Sequence, residues 1–234
     1  MKKLGLVGGL GPMSTLMYYR DIHEKYRKLA KSASIAGDNP PMIIDSLNLA
    51  VAYDLVERKD WVTLADWLTD SINRMHDAGA EFAAIAANTA HIVFDEIQAK
   101  SPIPVIGIVD ETCKFAKAAG CDKVIVFGTG FTMASGMYEK ACAKYGIKAI
   151  VPNTEDQDAI HHIIFPNLEA GIVLQEDKAR ILGIAKKMLK EEGADALILG
   201  CTELPLILSE GDLDTKLIDT TVVHIDAIVK EILS

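Results

Sequence analysis

The sequence predicts an α/β protein built as two similar halves, each around a parallel sheet. Three observations carry this. Short apolar runs of strand character alternate with amphipathic helical patterns along the whole chain, as in parallel strands joined by helical crossovers. The run Gly79-Ala80-Glu81-Phe82-Ala83-Ala84-Ile85-Ala86-Ala87-Asn88 is echoed by Gly193-Ala194-Asp195-Ala196-Leu197-Ile198-Leu199-Gly200-Cys201-Thr202. A second echo pairs Leu4–Leu10 with Val124–Gly130, both apolar strands that run into Gly-rich turns. Two halves built alike place the ends of their equivalent strands, and so Ala87 and Cys201, face to face.

The first strand is expected over Lys3–Gly8. Met1-Lys2-Lys3 looks superficially like the charged front of a signal peptide, but the apolar stretch behind it breaks at once into glycines. A helix follows from Pro12, a residue suited to a first helical turn. Further strands are expected over Pro41–Ser46, Phe82–Ala86 and Val105–Ile108, with an amphipathic helix over Trp61–Ala78, whose apolar residues recur at helical spacing. The boundary is expected near Asp110–Gly120, which gives domains 1–115 and 116–220. The second half repeats the pattern with strands Lys123–Gly128, Lys148–Val151, Ala196–Gly200 and Leu217–Asp219. The last helix, 221–233, could pack on either half. Parallel sheets of this kind hold ligands beyond the carboxyl ends of their strands.

With 234 residues the chain can bury one large or two small cores, and the internal echo favours two. Half the residues are hydrophobic, and no apolar run approaches a membrane span. The net charge of −9 and the lack of a basic run argue against nucleic acid or an anionic membrane as partner. The four cysteines, Cys113, Cys121, Cys142 and Cys201, form no Cys-x-x-Cys pair and show no metal spacing, which fits a reduced cytoplasm.

Cys201 follows an apolar strand and precedes Thr202-Glu203-Leu204-Pro205, so the sequence places it at a helix N-terminus. There the helix dipole and free amides lower a thiol's pKa, which suits a base or nucleophile. A small buried apolar residue is the competing reading. Asn88 and Thr89 open the equivalent helix of the first half, as caps or as donors to a carboxylate. His91 lies about a turn further on, near enough to titrate, although a lone histidine is more often structural. Gly8-Gly9-Leu10-Gly11-Pro12 leaves a strand as a phosphate-binding turn does. It lacks the last glycine of the dinucleotide fingerprint, so close approach to a small anion is the better reading. Thr129, Thr132 and Ser135 populate the matching turn of the second half, as ligand donors or as ordinary caps.

Taken together, these motifs resemble the aspartate/glutamate racemase family of amino-acid racemases. The resemblance covers essentially the whole chain. It is carried by Gly8–Pro12 with Ser14-Thr15 and Tyr18-Tyr19, by Asn88–His91, Glu111-Thr112, Gly128-Thr129 with Thr132-Met133, and Gly200–Glu203. The glutamate in Gly200-Cys201-Thr202-Glu203 resembles the aspartate racemase branch; glutamate racemases usually carry histidine there. The resemblance implies two pseudo-symmetric Rossmann-like domains with the active site in the cleft between them, and a homodimer. It implies catalysis without PLP, metal or other cofactor: one thiolate removes the α-proton and an opposite thiol returns one to the other face. Cys201 and the position of Ala87 are the implied catalytic pair. Leu10, Ser46, Asn88, Thr89, Thr129, Thr132, Thr202 and Glu203 are the residues expected around the substrate.

Two departures stand out. The family's first cysteine maps to Ala87, which neither accepts nor donates a proton. Where aspartate racemases have Arg after the second strand and Lys before Ala170-Gly171, this chain has Asp45-Ser46-Leu47-Asn48 and Glu169. An acidic substrate therefore has fewer cationic partners, and a neutral or basic amino acid stays open. A racemase scaffold for Asp or Glu lacking half its acid/base pair is the leading expectation. A one-thiol lyase similar to arylmalonate decarboxylase and a non-catalytic amino-acid-binding protein are the alternatives.

Overall fold

Strand β1 (Leu4–Gly8) is buried along its full length, as suits a strand covered on both faces. The structure, a computed structural model, describes residues 1–30 and 38–234. After β1 come α1 (Pro12–Leu29), β2 (Met42–Ser46), α2 (Leu49–Glu57), α3 (Trp61–Asp77) and β3 (Phe82–Ile85). A 3₁₀ segment, Thr89–Val93, leads into α4 (Phe94–Lys100) and β4 (Val105–Ile106). Among the described residues the strands form one parallel sheet in the order β2-β1-β3-β4. The expected strand Val105–Ile108 is shorter, because only Val105 and Ile106 pair with β3 and Ile108 already begins the next helix.

The turn after β1 depends on glycine. Gly9 has a φ of +79°, and a Cβ there would stand 2.1 Å from the Leu47 carbonyl oxygen. Pro12 starts α1, which buries Tyr18, Ile22 and Tyr26 on the face repeating every four residues.

The chain continues through α5 (Ile108–Ala118), β5 (Lys123–Gly128), α6 (Gly130–Ala134), α7 (Met137–Ala143), β6 (Lys148–Ile150), α8 (Thr154–His162), α9 (Gln175–Glu192), β7 (Ala196–Gly200) and β8 (Lys216–Asp219). These strands form a second parallel sheet, β6-β5-β7-β8. Ile125, Phe127, Leu197 and Leu199 point to a core shared with Ile160, Ile181 and Ala185. At the end of the β5–β7 register Gly128 partners Gly200. A Cβ on Gly128 would lie 2.9 Å from the Gly200 oxygen, and one on Gly200 would lie 2.8 Å from the Phe127 oxygen.

The last helix, α10 (Thr220–Leu233), carries Ile225, Ile228, Val229 and Ile232 into the core formed by Leu4, Leu6, Tyr18, Ile22 and Phe82. The chain thus divides into two compact units, Met1–Ile108 with His224–Ser234, and Val109–Val223. Both are α/β units with parallel sheets, the class the alternating pattern predicts. Among the described residues no helix is long and apolar enough to cross a membrane.

Candidate active site

Strand order locates the functional end of each sheet. In the first unit β1 and β3 are adjacent at the centre of the sheet, and the crossover from β1 runs to β2 on one side while that from β3 runs to β4 on the other. The loops diverge at the carboxyl ends of β1 and β3, and ligands of open α/β sheets collect at such a switch point. In the second unit β5 and β7 hold the same places. Each expected site residue follows one of these strands or its neighbour. Leu10 follows β1, Ser46 ends β2, and Ala87, Asn88 and Thr89 follow β3; Thr129 and Thr132 follow β5, and Cys201, Thr202 and Glu203 follow β7.

Cys201, Thr202 and Glu203 are all buried. The Cys201 thiol donates to Glu203 Oε2 at 2.9 Å, and the Thr202 hydroxyl donates to the same oxygen at 2.7 Å. The expected helix N-terminus is absent. Cys201 enters a turn, and the helical geometry beyond it is a single 3₁₀ turn, Leu204–Leu206, with Pro205 inside it. A proline marks where a helical turn begins, not how long it runs, and one 3₁₀ turn supplies little dipole. The expected lowering of the thiol pKa is therefore overturned. Burial, followed by the negative charge of Glu203 and its hydrogen bond, pushes the Cys201 thiol well above its ordinary range. Thr129 caps α6, its hydroxyl accepting the Thr132 N–H at 3.2 Å, and the Ser135 hydroxyl donates to the Thr132 carbonyl at 2.8 Å. Both residues thus shape the turn after β5.

In the first unit Ala87 is half-buried and Asn88 is buried. Asn88 has helical dihedrals and makes no side-chain capping bond, and the chain passes from it into the 3₁₀ segment rather than into the expected α-helix start. The Ser14 hydroxyl donates to the Ala86 carbonyl at 2.7 Å. In the glycine turn, the Gly9 N–H donates to the Thr15 hydroxyl at 2.8 Å and the Leu47 N–H to the Gly8 carbonyl at 2.9 Å. Thr15 thus already occupies one amide that the sequence offered to an anion. Ser46 and Asn48 are exposed.

Three features lie beyond what sequence reasoning found. Glu169, in a 3₁₀ turn, has its carboxyl raised to about 7 by burial and then by the charge of Glu203. Asp45 accepts from Arg74 at 2.7 Å and from Ser71 at 2.8 Å, so the acid after the β2 core is neutralised locally. His91 and His224 are buried, and burial holds them neutral, at about 4 and about 3. His91 therefore does not titrate near neutrality. Among the described residues no group of three or more His, Cys, Asp or Glu is placed to hold a metal ion.

Each α/β unit thus carries expected site residues beyond the carboxyl end of a central strand, a thiol–carboxylate pair after β7 and a methyl after β3. The chain belongs to the Asp/Glu/hydantoin racemase family, whose sequence model matches residues 7–228. It is 27% identical to the broad specificity amino-acid racemase RacX of Bacillus subtilis (strain 168), over 93% of this chain and 92% of that protein. A crystal structure from Yersinia pestis, assigned provisionally as an Asp/Glu racemase, shares 33% identity and a TM-score of 0.90 over the full length of both chains. The aspartate racemase homologue of Pyrococcus horikoshii OT3 shares 32% identity and a TM-score of 0.85, also over both full lengths.

Proposed function

We propose that this protein is an amino-acid racemase scaffold acting through thiol chemistry without a cofactor, in which Cys201 exchanges the α-proton of an L-amino acid. The observation that carries the reading is the hydrogen bond from the Cys201 thiol to Glu203. Burial and the adjacent carboxylate favour the neutral thiol at rest, so the base has to be made during the reaction. As sulfur takes the α-proton, the thiol's own proton passes to Glu203. The products are a substrate carbanion or enolate, a Cys201 thiol and a neutral Glu203 acid. Reversal returns a proton to the same face. Thr202 steadies the acceptor oxygen through its 2.7 Å hydrogen bond.

Inversion needs a second acid/base group for the opposite face of the α-carbon. At the equivalent position after β3 stands Ala87, so the reading is of one-sided catalysis: exchange with retention outruns inversion. Aspartate and glutamate are the first substrates to test, because the branch resemblance names them. Glu169 favours a neutral or cationic side chain instead, since a second acid beside Glu203 repels a carboxylate. The name of the Bacillus subtilis relative, a broad specificity racemase, fits a panel that spans all three classes.

The test is proton NMR of L- and D-amino acids incubated with the protein in D2O, alongside chiral chromatography. Deuterium should enter the α-position of an L-amino acid faster than the D-enantiomer appears. Inversion keeping pace with exchange contradicts the one-sided reading. No exchange with any amino acid points to a binding protein, and CO2 released from an arylmalonate identifies a lyase.

A further inference from the structure

His91 has two hydrogen-bonding partners that fix its ring. Its Nδ1 lies 2.8 Å from the Ala87 carbonyl, which can only accept, so Nδ1 carries the proton. Its Nε2 lies 3.2 Å from the Ile108 N–H, which can only donate, so Nε2 is bare. The ring stacks on Phe94 with centroids 5.2 Å apart and meets the edge of His224 at 6.3 Å. His224 lies 2.9 Å from the Ile106 carbonyl through Nε2 and 2.7 Å from the Tyr18 hydroxyl through Nδ1. By the same logic it donates to the carbonyl and accepts from the phenol. Two neutral rings of opposite tautomer therefore hold Ile106 and Ile108, on either side of Gly107 at the end of β4. One of them reaches across to Ala87, two residues past the end of β3.

We infer that His91 is a positioning residue of the proposed racemase reaction, fixing the peptide of residue 87, and with it any side chain there and the Asn88–Thr89 turn, against the end of β4. This rests on the proposed racemase function for its kinetic consequence and on geometry alone for its structural one. An apolar residue would fill the same space but leave the Ala87 carbonyl and the Ile108 amide without this bridge. Burial keeps the ring neutral, so both bonds hold together at ordinary pH. Asparagine places its Nδ2–H where Nδ1–H stands and so keeps the bond to the Ala87 carbonyl while giving up the one from the Ile108 amide, whereas phenylalanine keeps the stacking on Phe94 and loses both bonds.

The test compares His91→Phe and His91→Asn in an Ala87→Cys background, reading α-proton exchange of D- and L-amino acids in D2O. By family resemblance the D-enantiomer is served from position 87 and the L-enantiomer by Cys201. Displacing residue 87 by an ångström should lower the ratio of D- to L-exchange roughly 10- to 100-fold in His91→Phe, and His91→Asn, which keeps the bond to the Ala87 carbonyl, should recover part of it. General destabilisation lowers both directions by one factor and leaves the ratio alone, so an unchanged ratio overturns the inference. A second measurement needs no turnover. Amide hydrogen exchange at Asn88 and Thr89, in protein with Ala87 intact, should quicken in His91→Phe and return toward the parent rate in His91→Asn. Equal rates in all three overturn the inference. Absence of any exchange chemistry in Ala87→Cys with His91 present counts against the racemase reading alone, and the amide rates then decide the role of His91.

Discussion

The Cys201 thiol and the Glu203 carboxylate, two residues apart, share a 2.9 Å hydrogen bond in which sulfur is the donor. A thiol beside a histidine or a helix N-terminus is activated by being held as thiolate. Here the neighbour is itself an acidic side chain, so in the proposed reaction activation comes from a waiting proton acceptor instead.

Glu203→Gln removes that acceptor while keeping the shape. L-amino-acid exchange should fall roughly 10²–10⁴-fold, the usual contribution of a positioned acid or base. Cys201→Ser should abolish exchange, because an alkoxide is far harder to form. Exchange rates followed by NMR, with circular dichroism to confirm folding, check both. Parent-like exchange in Cys201→Ser would remove Cys201 from the mechanism.

Ala87→Cys should create or restore inversion. Residue 87 follows the strand of the first sheet that matches β7 of the second, and it is half-buried, so a thiol adds one heavy atom at a site with some room. The gain in racemisation should again be about 10²–10⁴-fold, read by chiral chromatography. A folded variant with no gain on any amino acid means the surroundings of residue 87 serve another reaction.

Glu169 gives a pH signature. Its carboxyl is raised to about 7, first by burial and then by Glu203, so it is neutral below that pH and charged above it. If Glu169 stands where the family binds the substrate's side chain, the KM for aspartate or glutamate should rise as pH increases through 7. The KM for a neutral amino acid should change little. Glu169→Gln should flatten the profile for acidic substrates, and a slope that persists in that variant refutes the assignment.

The buried histidines predict acid sensitivity. Their folded pKa values are depressed from 6.5, to about 4 for His91 and about 3 for His224, with burial the largest cause in each. The unfolded chain takes up protons below about 6.5 while the folded chain does not. Stability is therefore complete above pH 6.5 and is lost as pH falls toward about 4 and below. The loss attributable to His91 alone is roughly 3 kcal/mol. Urea midpoints at several pH values should drop across this window, and less steeply in His91→Asn.

What the sequence made legible is what local pattern determines. Lys123–Gly128 and Ala196–Gly200 are strands over the expected residues, because unbroken apolar runs between glycines leave little choice in an α/β chain. Cys201 stands out for the same reason: its segment repeats and its counterpart does not match. The surroundings of Cys201 were not legible. Pro205 promised a helix and delivered one 3₁₀ turn, and with the helix went the argument for a lowered pKa. The other missed partners are distant in the chain. Tyr18 meets His224 across 206 positions, and the influence of Glu203 on Glu169 is not encoded in any local spacing. Such juxtapositions follow from how sheets and helices stack, which no periodicity of one segment records.

The abutting glycines at the end of the β5–β7 register have a consequence for how this scaffold can change. Neither Gly128 nor Gly200 can acquire a methyl without displacing a backbone oxygen on the neighbouring strand, so drift at either position is blocked by the other strand. Thr129 and Cys201, one residue further along each strand, escape that veto. Variation is thus channelled away from the sheet and into the loops, where a cysteine can become an alanine, or an alanine a cysteine, without the strands having to adjust. A scaffold built this way can exchange the residues just beyond its strand ends far more readily than it can alter the strands themselves.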